Sequence, residues 1–435
     1  MSDLGIILLL FGTLFALLLA GFPVAFTLGG VSIIFAFFTF GLDLSALPMR
    51  IYGIMANEYL IAVPPFIFMG VMLEKSGLAV ELLETMALLF GRIRGGLAIS
   101  VVVVGAMLAA STGIVGATVV TMGLLSLPTM LQRGYSAELA TGTIAASGTL
   151  GQIIPPSIVL ILLATALDRP VGMLFVAAII PGMILVALYL VWLFGLAIFK
   201  PDAAPAMPAA ELAAFRGRHM VSRILRAFIA PVVLIVSVLG SIFAGIATPT
   251  EAAAVGALGA TCLTVAQRRF DYKCLRGVMK ETTMLTSMVY IILVGASAFS
   301  FVFRELNGDV VIVDLIERFD LGPMQFLAAV MIIVFIAGFF LDFIEITFIF
   351  VPIVAPILEA QGVDLVWVGI LLAMNLQTSF LTPPFGFSLF YLKGVAPPEV
   401  KTIQIYKGII PYIIIQLIAL GLVLKFPGLA LWLVK

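Results

Sequence analysis

The sequence predicts an all-α polytopic membrane protein of two inverted-topology repeats, each with a re-entrant helical hairpin and a broken transmembrane helix. Three observations support this fold class. Hydrophobic residues fill 63% of the 435 positions and charged residues 11%, with a mean hydropathy of +1.26, which is typical of membrane proteins. The long apolar runs lack the period-2 alternation of a transmembrane barrel, which favours helices. Two runs are interrupted by Pro-Pro in matching places, as in secondary transporters.

The remaining composition argues against several other classes of protein. The formal net charge is +0, which gives no reason to expect a nucleic-acid partner. Cys262 and Cys274 are too few for a disulfide framework or a metal cluster, and the single histidine, His219, lies among arginines in a polar segment. The N-terminus lacks the basic region of a signal peptide, so we expect the first apolar run to be retained.

The first repeat is predicted to occupy residues 1–199. Its first apolar run divides into two short helices at Gly21-Phe22-Pro23. A hairpin is expected at about 96–131 and a broken helix at about 139–166. Within that helix, Ser147–Ser157 reads S-G-T-L-G-Q-I-I-P-P-S. Proline removes a backbone donor and clashes with the preceding turn, so the helix must break there. Such a break is tolerated at membrane depth only where it is buried in protein or lines a polar cavity.

A polar linker at 200–226, rich in Ala, Pro and Arg, separates this repeat from the second, at 227–435. The second repeat is expected to hold a hairpin at about 322–358 and a broken helix at about 365–392, which contains N-L-Q-T-S-F-L-T-P-P-F-G-F-S. Four residues recur 228 positions later, namely Pro128, Gly134, Pro155 and Pro156 as Pro356, Gly362, Pro383 and Pro384. Near the start of each half, Pro23 and Gly30 recur as Pro249 and Gly256, displaced by 226.

The distribution of Lys and Arg orients the two repeats. The linker at 200–226 and the loop at 267–280 are rich in these residues, whereas 304–320 holds only Arg304 and Arg318. The positive-inside rule therefore predicts that the first two segments are cytoplasmic and the third is outside. Each repeat then makes an odd number of crossings, which inverts the second repeat and leaves both termini outside.

The turn of each hairpin is expected near the middle of the membrane, facing the broken helix of its own half. These turns fall near 111–116, which reads S-T-G-I-V-G, and near Gly338–Asp342. Helix ends expose unpaired carbonyls and amides, and carbonyls together with hydroxyls suit a hard cation such as sodium. Two alternatives stay open: the first hairpin could instead be two full spans, and its small residues could serve close helix packing.

Asp342 and Glu345 are the only acids in a long apolar run. A carboxylate inside a membrane is costly, so it is a functional hypothesis by default, and we expect Asp342 to serve a cation site. Glu251 instead fits a helix start, with Thr248 as N-cap and Pro249 in the first turn. We expect no enzyme, because the sequence shows no Ser-His-Asp set and because Ile114, not a second aspartate, corresponds to Asp342.

Three stretches resemble the large membrane subunit, DctM type, of tripartite ATP-independent periplasmic (TRAP) transporters. They are G-F-P-V-A-F near the start, the Ser147–Ser157 stretch, and G-I-A-T-P-T-E-A-A-A-V at Gly245–Val255. The resemblance implies a sodium-coupled elevator, with a scaffold and a moving transport domain, in the bacterial inner membrane. It also implies a small four-helix membrane subunit, expected here as a separate chain, and a soluble periplasmic protein that delivers an organic acid.

The resemblance also implies functional residues. One sodium site would use Thr112, Gly116 and the carbonyls of Gly151, Ile154 and Pro156. A pseudo-symmetric second site would use Asp342, Ser379, Thr382 and Pro384. The substrate would bind between the broken helices, near Thr149, Gln152, Asn375 and Gln377.

The leading hypothesis from the sequence is therefore sodium-driven uptake of an organic acid, such as a C4-dicarboxylate or a sugar acid. Two alternatives remain at this point. The chain could be a self-sufficient sodium–dicarboxylate symporter of similar inverted-repeat build, or an assembly scaffold with no transport of its own. The sequence does not name the substrate.

Overall fold

The structure is a computed structural model that describes residues 3–41, 44–112, 115–208 and 224–434. These residues form helices and connecting turns, and no strand occurs among them. The all-α prediction is therefore confirmed. Five described helices are long and apolar enough to cross a membrane, or six if Leu47–Met55 and Glu58–Lys75, which meet at 46°, form one bent span.

The helices of the first half are Asp3–Leu19, Val24–Ile34, Leu47–Met55, Glu58–Ile61, Val63–Lys75, Leu78–Phe90, Gly96–Thr112, Val115–Gln132, Ala137–Thr149, Ile158–Ala166 and Val171–Phe199. Those of the second half are Ala230–Phe243, Pro249–Ala266, Tyr272–Glu305, Gly308–Arg318, Pro323–Ala337, Phe343–Ala360, Leu365–Leu381, Phe387–Val395, Thr402–Lys425 and Gly428–Leu431. Short π-helical turns at Phe35–Phe40 and Leu225–Ile229 extend or precede neighbouring α-helices.

Four names are used from here on. The first hairpin is the helix pair Gly96–Thr112 and Val115–Gln132, and the second hairpin is Pro323–Ala337 and Phe343–Ala360. The first interrupted helix is Ala137–Thr149 with Ile158–Ala166, and the second interrupted helix is Leu365–Leu381 with Phe387–Val395. In each hairpin, the second helix packs against the final segment of the interrupted helix from the other half.

The same local chemistry starts both interrupted helices. Gly134 and Gly362, which are 228 positions apart in the sequence, both adopt a φ of 79° and end the preceding hairpin. Glycine tolerates this left-handed conformation, which terminates a helix. Two residues further on, Ser136 and Asp364 accept hydrogen bonds from the first backbone amides of the next helix. The two halves thus enter their interrupted helices through matching caps.

A second group of helices flanks the hairpins. The long helix Tyr272–Glu305 packs against Val24–Ile34 and Val63–Lys75, and Val63–Lys75 also packs against Pro249–Ala266. The Tyr290 hydroxyl donates to the Leu60 carbonyl at 3.2 Å. At the other end of this pair, Lys75 Nζ lies 2.7 Å from Glu281 Oε2. The long helix and Glu58–Lys75 are therefore antiparallel neighbours.

The start of Pro249–Ala266 confirms one prediction about a charged residue. Thr248 is the N-cap and Pro249 lies in the first turn. The Thr248 hydroxyl accepts from the Glu251 amide at 3.3 Å, and Glu251 Oε2 accepts from the Thr248 amide at 2.8 Å. Glu251 therefore completes a capping box, in which two amides left unpaired by the helix start are satisfied.

Candidate functional site

The first interrupted helix breaks at Thr149. A single 3-10 turn, Leu150–Gln152, follows, and the helix resumes at Ile158. Pro155 and Pro156 have no amide hydrogen, so this stretch cannot continue the hydrogen-bond ladder. The Pro155–Pro156 peptide bond is cis. Across the break, the Ser157 hydroxyl donates to the Gln152 carbonyl at 3.1 Å.

The second interrupted helix breaks at the matching place. Its first segment ends at Leu381 and its second begins at Phe387. The Pro383–Pro384 peptide bond is also cis. Here the Ser388 hydroxyl donates a hydrogen bond across the break to the Phe380 carbonyl, at 2.8 Å. In both halves, a serine just past the break satisfies a carbonyl before it.

The two breaks meet at a pair of equivalent residues. Gln377 Nε2 donates to Thr149 Oγ1 at 3.3 Å, and these residues are 228 positions apart. That is the displacement that relates the prolines of the two breaks. Two equivalent residues contact each other only if they lie near the axis that relates the halves. The Thr149–Gln377 pair therefore joins the two interrupted helices at matching positions of the two halves.

Gln152 lies one turn from this pair and has no solvent-exposed surface. Neither atom of its amide has a hydrogen-bond partner among the described residues, and Gln377 Oε1 also lacks one. An unpaired buried polar group costs about 1–3 kcal/mol. Asn375 differs, because its Nδ2 donates to the Met331 carbonyl of the second hairpin at 2.7 Å. Of the four residues predicted to bind substrate, the structure thus pairs Thr149 with Gln377, leaves Gln152 unpaired, and holds Asn375 against a hairpin.

Three of the residues predicted for the first sodium site, Gly151, Ile154 and Pro156, lie in the first break. The carbonyls of Gly151, Ile154 and Pro156 accept no hydrogen bond from any described residue. Thr112 ends the first helix of the hairpin, and its side chain, like residues 113–114, lies outside the described part of the chain. Gly116 lies in the first turn of the second helix, where an added Cβ would come within 2.9 Å of the Tyr391 ring of the second interrupted helix. The break therefore presents three free carbonyl oxygens.

The residues predicted for the second site have partners in most cases. The Ser379 hydroxyl donates to the Phe335 carbonyl and that of Thr382 to the Thr378 carbonyl, at 2.7 and 2.8 Å. The Pro384 carbonyl accepts from the Tyr406 hydroxyl at 3.2 Å. The second set is thus more fully hydrogen-bonded than the first.

Asp342 is the N-cap of the second helix of its hairpin. Its Oδ1 accepts from the Phe343 amide at 2.8 Å, and Glu345 Oε2 accepts from the Asp342 amide at 3.1 Å. The pair forms a capping box, which gives both acids a structural role. Asp342 is largely buried and also lines a cavity.

Each hairpin contacts the interrupted helix of its own half through glycine. An added Cβ at Gly105 would come within 2.6 Å of Ser147 Cβ, and one at Gly338 within 2.4 Å of Ser379 Oγ. Any larger residue at these points would push the helices apart. The glycines therefore permit the close approach that brings the hairpins to the breaks.

Two clefts lie where the hairpins meet the long helix and Glu58–Lys75. The first, which we call the Arg50 cleft, has a volume of about 320 Å³. Its lining includes Arg50, Asn57, Ser297 and Ser300, together with Thr165 of the first interrupted helix and Phe348 of the second hairpin. The lining contains one cation and no carboxylate.

The second, which we call the Glu74 cleft, has a volume of about 570 Å³. Three carboxylates line it, from Glu74, Glu281 and Asp342, together with Gly116 and Thr121 of the first hairpin. The Thr121 hydroxyl donates to Glu74 Oε1 at 2.7 Å. Leu60 of one cleft and Glu74 of the other lie about 20 Å apart along their shared helical segment. The clefts therefore open toward opposite ends of the same helix pair.

The two clefts are equivalent in sequence as well as in position. Four residues of the Arg50 cleft have counterparts in the lining of the Glu74 cleft at the displacement of 228: Gly53 with Glu281, Asn57 with Leu285, Leu60 with Met288, and Phe348 with Val120. The two clefts thus share four of their lining positions at the displacement that relates the prolines of the two breaks.

Sequence reasoning singled out Asp342 of the Glu74 cleft but missed the other charged residues of the two clefts. Arg50 was given no role, nor was Glu74, at the end of an apolar run. One signal was available, because the displacement of 228 relates Gly53 to Glu281 and so connects the two regions. Which side chains face each other across these helices depends on helix packing, which the repeat alone does not specify.

The family comparison matches this architecture. Residues 11–429 match the family described as "Tripartite ATP-independent periplasmic transporter, DctM component". The chain belongs to this DctM family. It is therefore a TRAP transporter large permease subunit and a multi-pass membrane protein, and the resemblance inferred from the sequence motifs is confirmed.

Individual relatives agree over nearly the full length of this DctM-family chain. It is 30% identical to the C4-dicarboxylate TRAP transporter large permease protein DctM of Vibrio cholerae, covering 98% of this chain and 96% of that protein. It is 31% identical to the ectoine TRAP transporter large permease protein TeaC of Halomonas elongata, covering 97% of each. The crystal structure of the YdaH transporter of Alcanivorax borkumensis has a similar fold, with a TM-score of 0.62, 14% identity, and coverage of 89% of this chain and 87% of that one.

Proposed function

We propose that this DctM-family subunit imports an organic acid, driven by a sodium gradient, in the bacterial inner membrane. The acid is handed over by a soluble periplasmic binding protein, and a separate small four-helix membrane subunit completes the complex. The substrate crosses by an elevator movement in which the hairpins and interrupted helices move against the flanking helices. A C4-dicarboxylate is the first substrate to test, because the Vibrio cholerae relative is named for that class.

The observation that carries the proposal is the central polar layer, which consists of Thr149, Gln152 and Gln377 near the two breaks. Thr149 and Gln377 pair across the pseudo-symmetry axis, and the Gln152 amide beside them has no described partner. An apolar side chain of the same size would avoid the cost of this unpaired amide. A ligand that accepts from and donates to the amide when it binds explains why a glutamine stands there.

The first break also fits a sodium ion. The carbonyls of Gly151, Ile154 and Pro156 are free of described donors, and carbonyl oxygens at broken helices suit a hard cation. When bound, sodium supplies a positive charge that offsets the negative charge of the acid. Asp342, with Ser379, Thr382 and Pro384 nearby in the second half, would contribute to the second site, where the carboxylate adds charge to the oxygen donors. The break and the hairpin would then hold the ion beside the substrate, where its positive charge offsets part of the negative charge of the acid.

The paired clefts support alternating access. Each contains residues of a hairpin, of an interrupted helix and of the flanking helices, and the Glu74 cleft also takes Asp342 and Phe343 from the second hairpin. The two clefts lie toward opposite ends of the flanking pair. A group of helices that moves along the flanking pair would open one cleft as it closes the other. The elevator proposal uses this pseudo-symmetry and requires no unfolding of either break.

Reconstitution in liposomes tests the proposal. The chain is combined with its small subunit and binding protein, and uptake of radiolabelled succinate and other organic acids is measured with and without a sodium gradient. We expect uptake only with sodium and all three components. Sodium-driven uptake by this chain alone would favour the self-sufficient symporter, and uptake by the full system that ignores sodium would contradict the coupling.

A further inference from the structure

The Arg50 cleft has the features of an anion-binding site. The Arg50 side chain is exposed, and its guanidinium carbon lies 4.8 Å from the centroid of the Phe301 ring. Stacking on an aromatic ring orients a guanidinium and leaves its N–H edge free. Arg50 forms no ion pair with any carboxylate in the described part of the chain. A positioned cation is therefore available to a ligand.

The other polar groups of the cleft are neutral, and several can donate. Asn57 Oδ1 accepts from the amides of Tyr59 and Leu60 at 2.9 and 3.3 Å. This fixes the side-chain amide and leaves its Nδ2 without an acceptor among the described residues. The hydroxyls of Ser297 and Ser300 lie along the same wall. One arginine with hydroxyl and amide donors matches the geometry of a carboxylate, which Arg binds through two parallel hydrogen bonds.

The volume and position of the cleft also fit a small organic acid. About 320 Å³ lies within the range of small-molecule pockets. Thr165 belongs to the first interrupted helix and Phe348 to the second hairpin, while Ser297 belongs to the long helix. A ligand in the cleft therefore touches both the proposed moving group and the flanking helices.

We propose that the Arg50 cleft is a capture site, at which a carboxylate of the incoming organic acid binds before it reaches the central polar layer. Arg50 holds the carboxylate, and Asn57, Ser297 and Ser300 donate to the remaining oxygens. This inference rests on the proposed function. The Arg50 cleft would be a second, outer binding site, and it faces the periplasm in the predicted orientation.

Charged thiol reagents test the cleft without knowledge of the substrate. Cys262 and Cys274 are replaced by Ser, Ser297→Cys is introduced, and the purified complex in detergent is treated with an anionic or a cationic methanethiosulfonate. We expect the anionic reagent to react faster, and Arg50→Gln to lower the anionic-to-cationic rate ratio at least about tenfold. Leu285→Cys in the Glu74 cleft is the matched control, where the cationic reagent should be favoured whatever stands at position 50. A ratio at Ser297→Cys that Arg50→Gln leaves unchanged would overturn the proposal.

Transport then tests whether the anion captured is the substrate. In the reconstituted system, Arg50→Gln should raise the half-saturating concentration of substrate-loaded binding protein, and Arg50→Lys should recover part of it, with the sodium dependence unchanged. Arg318→Gln removes the same charge outside the cleft and should have no effect. If Arg50→Gln instead weakens binding of the empty and the substrate-loaded binding protein by the same factor, Arg50 contacts that protein and the proposal of a capture site is wrong. Loss of sodium-dependent uptake in the unaltered complex would refute the proposed function itself, while the reagent ratios would still report on the cleft.

Discussion

The Arg50 cleft and the Glu74 cleft share a backbone frame but carry opposite charge. Four pairs of equivalent residues line them, and both contain parts of a hairpin, an interrupted helix and the flanking helices, with Asp342 and Phe343 of the second hairpin added in the Glu74 cleft. One wall holds a single arginine with neutral donors, whereas the other holds three carboxylates, of which Glu281 pairs with Lys75. The difference teaches that the repeat determines where cavities form, while residues that the repeat does not match determine what each cavity attracts.

This asymmetry suits a one-way path for an anion. Two unit charges 4 Å apart near a protein surface interact by about 4 kcal/mol. An acid is therefore attracted at the Arg50 cleft and repelled at the Glu74 cleft, which favours release on that side. Sodium has the opposite preference, so under the proposed coupling the carboxylates of the Glu74 cleft would accept the ion that accompanies the acid. The following substitutions test the difference in charge between the two clefts and its effect on transport.

Asp342→Asn should have the largest effect. Asparagine is as good an N-cap as aspartate, so the change keeps the hydrogen bond to the Phe343 amide and removes only the charge. We expect sodium-dependent uptake to fall at least about tenfold, which corresponds to about 1.4 kcal/mol, with a raised sodium requirement and normal insertion and purification. Asp342→Ala, which loses the cap as well, separates helix stability from charge. Near-normal uptake by Asp342→Asn would mean that this acid only caps its helix.

Gln152→Leu should stabilise the protein and at the same time lower its transport activity. The leucine removes a buried amide that lacks described partners, so we expect thermal unfolding of the purified complex at a higher temperature, from a gain of about 1–3 kcal/mol. Uptake should fall about tenfold, because the variant loses the hydrogen bonds that the Gln152 amide would make to the ligand. A stabilised protein with unchanged uptake would show that Gln152 touches neither the ion nor the substrate.

Gly53→Glu makes the two clefts more alike and should have a moderate effect. Gly53 is exposed in the Arg50 cleft at the position equivalent to Glu281, and an added Cβ there meets no atom within 4 Å. The new carboxylate can pair with Arg50 and compete with the substrate. The half-saturating concentration should rise several-fold, as expected from about 1 kcal/mol of competition, while Gly53→Gln should leave it near the original value. Equal effects of the two variants would point to bulk rather than charge.

Glu251→Gln should have the smallest effect, because it removes a carboxylate that lies in neither cleft. The side chain completes the capping box with Thr248, and glutamine can also fill that position. We expect uptake within about twofold of the unaltered protein and a loss of stability below about 1 kcal/mol, measured by transport and thermal unfolding. A large loss of uptake would show that charge outside the clefts matters as much as charge inside them.

The sequence predicted the features that depend on local chemistry. Proline removes donors wherever it stands, so the breaks near Pro155 and Pro383 follow from the residues themselves. Thr248 and Glu251 form their capping box within four residues, and the structure confirms it. The contact between Thr149 and Gln377 was also within reach, because equivalent residues at an axis must meet.

Features that join distant segments were not predictable in the same way. Thr121 and Glu74 are 47 positions apart, and their hydrogen bond depends on how the first hairpin rotates against Val63–Lys75. Arg50 and Phe301 are far apart in the sequence, yet the guanidinium of Arg50 stacks on the Phe301 ring. Hydrophobic composition gives no information on such rotations, since every face of a membrane helix is apolar. Asp342 shows that the sequence does not distinguish a structural acid from a functional one, because the same residue both caps a helix and lines a cavity.

Sided labelling of the two clefts tests the central claim most directly. In cells expressing the complex with Cys262 and Cys274 replaced by Ser, Ser297→Cys and Leu285→Cys are each treated with a membrane-impermeant maleimide before and after permeabilisation. We expect Ser297→Cys to react in intact cells and Leu285→Cys to react only after permeabilisation. Equal reaction of both positions in intact cells would contradict this expectation, because the clefts would then open to the same side of the membrane.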